Sequence, residues 1–126
     1  MVDKPKRILI IDDENAIRTI IRLVLARQGY ECETAADGRE GVETFRNGDF
    51  DLVISDIIMP VQDGINTIIA LHDARPDVPV IAISGGARKG TMDLLQAAKK
   101  VGACETIEKP FEPDLLISTV KKCLKD

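Results

Sequence analysis

Short, β-branched apolar runs alternate with amphipathic stretches along the whole 126-residue chain. That alternation restricts the fold more than any other feature. Arg7-Ile8-Leu9-Ile10-Ile11 is too short for a helix and rich in β-branched residues, so it reads as a strand. From 14 to 27, Ile17, Ile20, Ile21, Val24 and Leu25 fall at helical spacing, and Gln28-Gly29 supplies a stop. Glu31-Cys32-Glu33-Thr34-Ala35 alternates as an edge strand does. Asp37-Gly38 then turns the chain into a helix over 39–45, closed by Asn47-Gly48. Leu52-Val53-Ile54 is a third buried strand, emerging at Asp56 before Pro60 and the Asp63-Gly64 turn. A helix over 64–74 places Ile65, Ile68, Ile69 and His72 toward the core, and Pro76 and Pro79 end it. Val80-Ile81-Ala82-Ile83 forms strand four and leads to Ser84. Helix four covers 90–101 with Met92, Leu95 and Ala98 on one face. Strand five covers 105–108, before Lys109-Pro110. A last helix over 113–124 carries Leu116, Val120 and Leu124.

The pattern is (βα)₅: an α/β, doubly wound, five-stranded parallel sheet with helices on both faces and right-handed crossovers. It predicts a single domain over 1–126, long enough to bury roughly two-thirds of the surface of its unfolded form. Lys plus Arg number 17 against 21 Asp plus Glu, a net charge of −4, so no bulk attraction to nucleic acid or anionic membrane is expected. No apolar run approaches the roughly 18 residues of a membrane span. The basic N-terminal residues precede no signal-type apolar core, which predicts a cytoplasmic protein. Cys32, Cys104 and Cys123 show no metal or C-x-x-C spacing, so reduced structural thiols are expected.

Asp12, Asp13, Asp56, Ser84 and Lys109 all lie at or just past the C-terminal ends of strands. In open α/β sheets ligands bind at that edge, near the switch in strand order. With strand one central, these five residues converge on one crevice. Two carboxylates about 4 Å apart repel by on the order of 4 kcal/mol at an effective dielectric near 20. Three carboxylates against one lysine leave surplus negative charge. Either a carboxyl group holds a proton at raised pKa or a divalent cation binds. Oxygen donors at an exposed edge suit Mg²⁺, which binds one or two carboxylates together with a phosphate. Lys109 would add positive charge and Ser84 a hydroxyl donor, with Asp56 as nucleophile: the parts needed for phosphoryl transfer.

At these spacings, Asp12-Asp13, Asp56-Ile57-Ile58-Met59-Pro60 with Gly64, Ser84, and Lys109-Pro110-Phe111 resemble the receiver domains of bacterial two-component response regulators. The stand-alone, chemotaxis type is the nearest in form, and the resemblance runs from Lys6 to the end. It implies a flavodoxin-like strand order of 2-1-3-4-5. It implies a phosphorylation-activated switch in which Asp56 takes a phosphoryl group from a sensor histidine kinase or a histidine phosphotransfer protein. Asp12, Asp13, Asp56 and the Ile58 carbonyl would hold Mg²⁺, while Lys109 and Ser84 contact the phosphoryl group. It further implies a cis Lys109-Pro110 bond and output through helix 4, strand 5 and helix 5 to a downstream protein partner, or onward transfer of the phosphate.

Two departures stand out. Thr106 occupies the position of the family's switch aromatic. Ile58 and Gly86 occupy positions that tune dephosphorylation, and neither can polarise water with its side chain. An aspartate-nucleophile phosphatase would carry a second Asp where Ile58 stands and would need room for a cap. A degenerate receiver that binds its partner without phosphate would not need the intact acidic set. Alone, Asp12-Asp13 would read as a helix cap, Ser84 as a loop hydroxyl and Lys109 as a solvated lysine. The Gly85–Thr91 glycine-rich stretch has Lys89-Gly90-Thr91 in the wrong order for a phosphate-binding P-loop.

Overall fold

A computed structural model describes residues 4–57, 64–85 and 91–125. In chain order the elements are β1 (Arg7–Ile11), α1 (Asn15–Ala26), β2 (Glu31–Ala35), α2 (Gly38–Asn47) and β3 (Leu52–Asp56). They continue with α3 (Gly64–Ala74), β4 (Val80–Gly85), α4 (Thr91–Lys100), β5 (Glu105–Lys109) and α5 (Pro113–Leu124). All strand pairings are parallel and the order is β2-β1-β3-β4-β5. This is the doubly wound sheet that the alternating pattern predicts.

Alternate residues of each central strand serve opposite faces, as a period of two requires. Ile8, Ile10, Ile54 and Ile81 pack with Ile21 and Leu25 of α1 and with Leu116 and Val120 of α5. Leu9, Ile11, Val53 and Ala82 pack with Phe45 of α2, Ile68 and Leu71 of α3, and Leu95 of α4. Every residue of β3 is buried, whereas β2 alternates between exposed and half-buried positions up to the buried Ala35. A doubly covered strand and an edge strand differ in this way.

Local signals fix the element ends. Asp37 Oδ1 accepts from the Glu40 amide at 2.8 Å, and the Glu40 carboxylate accepts from the Ala36 amide at 3.4 Å, closing the N-terminus of α2 reciprocally. Gly29 follows α1 at φ +91°, a conformation that L side chains rarely adopt. Pro113 opens α5, where its missing N–H costs nothing. At the N-terminal pole of the sheet, Arg7 spreads over its neighbours: its Nη2 donates to Glu33 at 2.7 Å and its Nη1 to the Asp49 carbonyl at 2.9 Å. Its guanidinium lies 4.7 Å from the Phe50 ring centroid.

Two sequence expectations need correction. On α3 the buried face is Gly64, Thr67, Ile68 and Leu71, with Ile69 exposed. Apolar residues surround this helix, so spacing alone could not select the face. On α1, Ile20 belongs to the helically spaced apolar set yet is 49% exposed, while Ile21 and Leu25 are buried. Finally, Cys104 and Cys123 are not separate thiols but form a disulfide, leaving Cys32 free. The last turn of α5 lies against the start of β5, a proximity that only the tertiary fold creates. The Met92 side chain and residues 58–63 and 86–90 lie outside the description, and with them the expectations placed on Ile58 and Gly86.

Candidate functional site

Three adjacent strands, β1, β3 and β4, with β5 beyond, deliver the polar groups to one end of the sheet. Asp12 directly follows β1; its amide donates to the Ala35 carbonyl at 3.2 Å, which continues the β1–β2 ladder by one step. Its side chain is fully buried, and its Oδ1 accepts from the Glu14 amide at 2.9 Å. Asp13 is exposed at the rim. Asp56 closes β3 and is buried, lying opposite Ile83 of β4. Lys109 is the last residue of β5, in register with Gly85. Its Nζ reaches back across the sheet end to Asp12 Oδ2 at 2.9 Å and to Asp56 Oδ2 at 3.2 Å.

Each of Asp12, Asp13 and Asp56 offers a carboxylate oxygen within 4.8 Å of the other two. Burial pushes the Asp12 carboxyl above its ordinary pKa, although the Lys109 hydrogen bond and the Glu14 amide pull the other way. Burial acts to lower the Lys109 pKa, but its hydrogen bond to Asp12 and the charges of Asp56 and Asp12 together outweigh it and raise the value. Among the described residues one ammonium therefore serves a pocket of three acids, and burial makes the shortfall costly.

The donor set fits a hard divalent ion. Oxygen ligands on opposite sides of a Mg²⁺ octahedron lie about 4.2 Å apart, given metal–oxygen distances near 2.1 Å. Neighbouring ligands lie roughly 3 Å apart, and the three carboxylate oxygens all fall within 4.8 Å of one another, so side-chain rotation brings them onto one ion. Ser84 is fully buried in β4, and its Oγ has no hydrogen-bond partner among the described residues. A buried hydroxyl without a partner carries a desolvation cost of about 1–3 kcal/mol, which a ligand oxygen would remove.

The sequence-derived residues Asp12, Asp13, Asp56 and Lys109 come together within hydrogen-bonding or ion-binding reach, and Ser84 occupies the strand next to Asp56. The Lys109–Pro110 bond is cis. Thr106 is half-buried in β5, opposite Ala82. Arg18 was not anticipated. Its Nη1 donates to the Asp12 carbonyl at 2.6 Å and its Nη2 to Asn15 Oδ1 at 3.3 Å, bracing the turn that carries both acids. An arginine between helical apolar positions gives no sequence signal for that role, because a solvated face would look the same.

A model of the response regulator receiver domain matches residues 8–121. Chemotaxis protein CheY of Thermotoga maritima is 33% identical over 121 residues, spanning 95% of this chain and 98% of that protein. The DNA-binding transcriptional regulator NtrC of Azospirillum brasilense is 35% identical over 117 residues, but the match covers 93% of this chain and only 24% of NtrC. The chain spans between a quarter and a half of the first curated relatives it matches. Among solved structures, a CheY-like receiver domain protein from Methanospirillum hungatei JF-1 superposes with a TM-score of 0.89 at 33% identity, covering 96% of this chain and 94% of that one. The solution structure of the beryllofluoride-activated NtrC4 receiver domain dimer gives a TM-score of 0.85 at 33% identity, covering 94% and 96%.

Proposed function

This chain belongs to the response regulator receiver family of two-component signalling, and from that premise we propose that Asp56 is its phosphoryl acceptor. The donor would be the phosphohistidine of a sensor histidine kinase or a histidine phosphotransfer protein. An Asp56 carboxylate oxygen attacks phosphorus, the phosphorus–nitrogen bond to imidazole breaks, and the electron pair leaves with the ring nitrogen. The observation that carries this reading is the convergence of three carboxylates with the Lys109 ammonium, 3.2 Å from Asp56.

Asp12, Asp13 and Asp56, with the Ile58 carbonyl, would hold Mg²⁺, which when bound offsets the negative charge of the incoming phosphoryl oxygens. Lys109 neutralises charge from the β5 side and holds the Asp56 carboxylate in place. Ser84 Oγ, which has no partner among the described residues, donates to a phosphoryl oxygen. Turnover is confined to self-catalysed transfer and slow self-dephosphorylation, because the side chains of Ile58 and Gly86 cannot orient an attacking water. We further propose that residues 1–126 act as one cytoplasmic receiver unit whose output is a protein partner, reached through α4, β5 and α5 or by passing phosphate on. Nucleic acid and membrane would not be its targets. Among the described residues no helix is long and apolar enough to cross a membrane.

The test combines Mg²⁺ with acetyl phosphate, or with beryllofluoride as a stable mimic, on wild type and Asp56→Asn. Label on wild type alone, with amide shifts extending to α4, is the expected result. Label without distant shifts would favour a phosphate carrier over a conformational switch. Absence of both label and Mg²⁺ response would refute the acceptor assignment.

A further inference from the structure

The Cys104–Cys123 bond lies outside the acidic site. It joins the residue just before β5 to the last turn of α5, with Cα atoms 6.3 Å apart. The same junction is already held without it. Glu105 pairs with Lys122 of α5 at 2.7 Å and with Lys99 of α4 at 3.7 Å. Ile107, Leu116 and Val120 are buried beneath. The core on this face is therefore closed by packing and ion pairs, and the bond adds a tether to a junction already assembled.

We propose that Cys104 and Cys123 form a reversible thiol–disulfide site whose reaction partner is a low-molecular-weight thiol such as glutathione. Cys104 is half-exposed and Cys123 almost wholly buried, so exchange enters at the Cys104 sulfur. In oxidation, the Cys104 thiolate attacks a sulfur of glutathione disulfide and expels one glutathione thiolate. The Cys123 thiolate then attacks Cys104 Sγ, forming the protein disulfide and releasing the second. Two protein thiols lose two protons and two electrons, and one glutathione disulfide becomes two thiols. Reduction runs the same steps backwards.

Cys32 cannot intercept this exchange inside the molecule. It lies on β2, one edge of the sheet, while Cys104 adjoins β5, the other edge, about 19 Å away at ~4.8 Å per strand. The tether also reaches toward the acidic pocket: it fixes the start of a five-residue strand whose last residue is Lys109. Oxidation thus restrains the strand that presents the ammonium to Asp12 and Asp56. The reducing compartment that makes the site switchable rests on the cytoplasmic reading above. The chemistry of the pair does not.

The experiment equilibrates wild type, Cys104→Ser and Cys123→Ser in glutathione buffers of varied ratio, then counts thiols after acid quenching and denaturation. Wild type should move between one reactive thiol, Cys32, and three, with a midpoint inside the range set by millimolar glutathione. Closing this loop should raise the melting temperature by about 10 °C, and the β5 amides through Lys109 should shift with it. Neither serine variant should form the internal bond: Cys104→Ser should keep two thiols, and Cys123→Ser, lacking the resolving thiol, should lose one only as a glutathione adduct on Cys104, read by mass. A constant count of three, or a count of one that millimolar glutathione never changes, would overturn the proposal. A reversible count with unmoved β5 amides would overturn the link to Lys109. Neither readout requires Asp56 to be phosphorylated, so failure here and failure of the acceptor assignment are separate.

Discussion

Replacing Gly64 by alanine probes how tightly the chain is folded around Asp56. Gly64 opens α3, is buried, and donates its amide to the Ile57 carbonyl at 3.1 Å. A Cβ there would fall directly on the Ile57 Cα and come within 2.6 Å of its carbonyl carbon and oxygen. Ordinary contact begins at 3.4 Å, so backbone must yield by about 0.8 Å or more. Overpacking of this kind costs about 1–3 kcal/mol, and rigid backbone puts it at the upper end. The expected result is a loss of about 3 kcal/mol in urea unfolding, or about 10 °C in melting temperature. Ile57 follows Asp56 directly, so the displacement also reaches the proposed acceptor, and a misplacement near 1 Å would slow phosphorylation by about 100-fold. Gly41→Ala is the internal reference. There the three atoms nearest a Cβ all belong to the Ile11 side chain, with Cγ1 at 2.7 Å, and that side chain can re-orient. If Gly64→Ala were no less stable than Gly41→Ala and reacted with acetyl phosphate at the wild-type rate, the close approach of α3 to β3 would be wrong.

Other substitutions test the charges and the orphaned hydroxyl. Asp12→Asn should raise the urea midpoint of the Mg²⁺-free protein at neutral pH and abolish its further rise with Mg²⁺. Burial holds the folded pKa of Asp12 above 3.8, so its ionisation costs stability as pH rises from 3.8 through the folded value; a lower midpoint would contradict this sign. Ser84→Ala should leave stability unchanged or raise it by up to about 1 kcal/mol, while weakening the amide response to beryllofluoride; a large loss of stability would mean that Oγ has a partner after all. Glu105→Gln should cost about 0.5 kcal/mol at neutral pH. The Lys122 hydrogen bond lowers the folded pKa of Glu105 below 4.5, so its contribution is present above 4.5 and disappears as pH falls through the folded value. Equal destabilisation of wild type and variant across that window would count against the pairing.

The strands were legible because doubly covered parallel strands must be continuous apolar runs, and Ile8 to Ile11 or Leu52 to Ile54 allow little else. The site was legible because parallel strands bring their C-terminal ends to one edge, so residues far apart in sequence converge by topology alone. Asp12, Asp56 and Lys109 are the demonstration. What depended on side-chain trajectory was not legible. Ile69 and Leu71 are equally apolar, and only the packed structure shows that Leu71 faces the core. Arg18 serves the backbone of Asp12 rather than any sequence-spaced partner. Cys104 and Cys123 meet only because α5 folds back along β5.

The strand order has a consequence for cooperativity. Arg7 pairs with Glu31, Ile54 with Ile81, and Ile81 with Glu105, each closing a single βα crossover. Ile8 pairs with Leu52 only after β2 and both flanking helices have been spanned. The β1–β3 seam is therefore the longest closure in the sheet and divides it into β2–β1 on one side and β3–β4–β5 on the other. Asp12 and Asp13 belong to the first part, while Asp56, Ser84 and Lys109 belong to the second. The acidic pocket straddles the seam. An ion or anion that engages both parts is then a staple between two folding units, so occupancy should suppress partial opening along β1–β3 more than fraying at either edge.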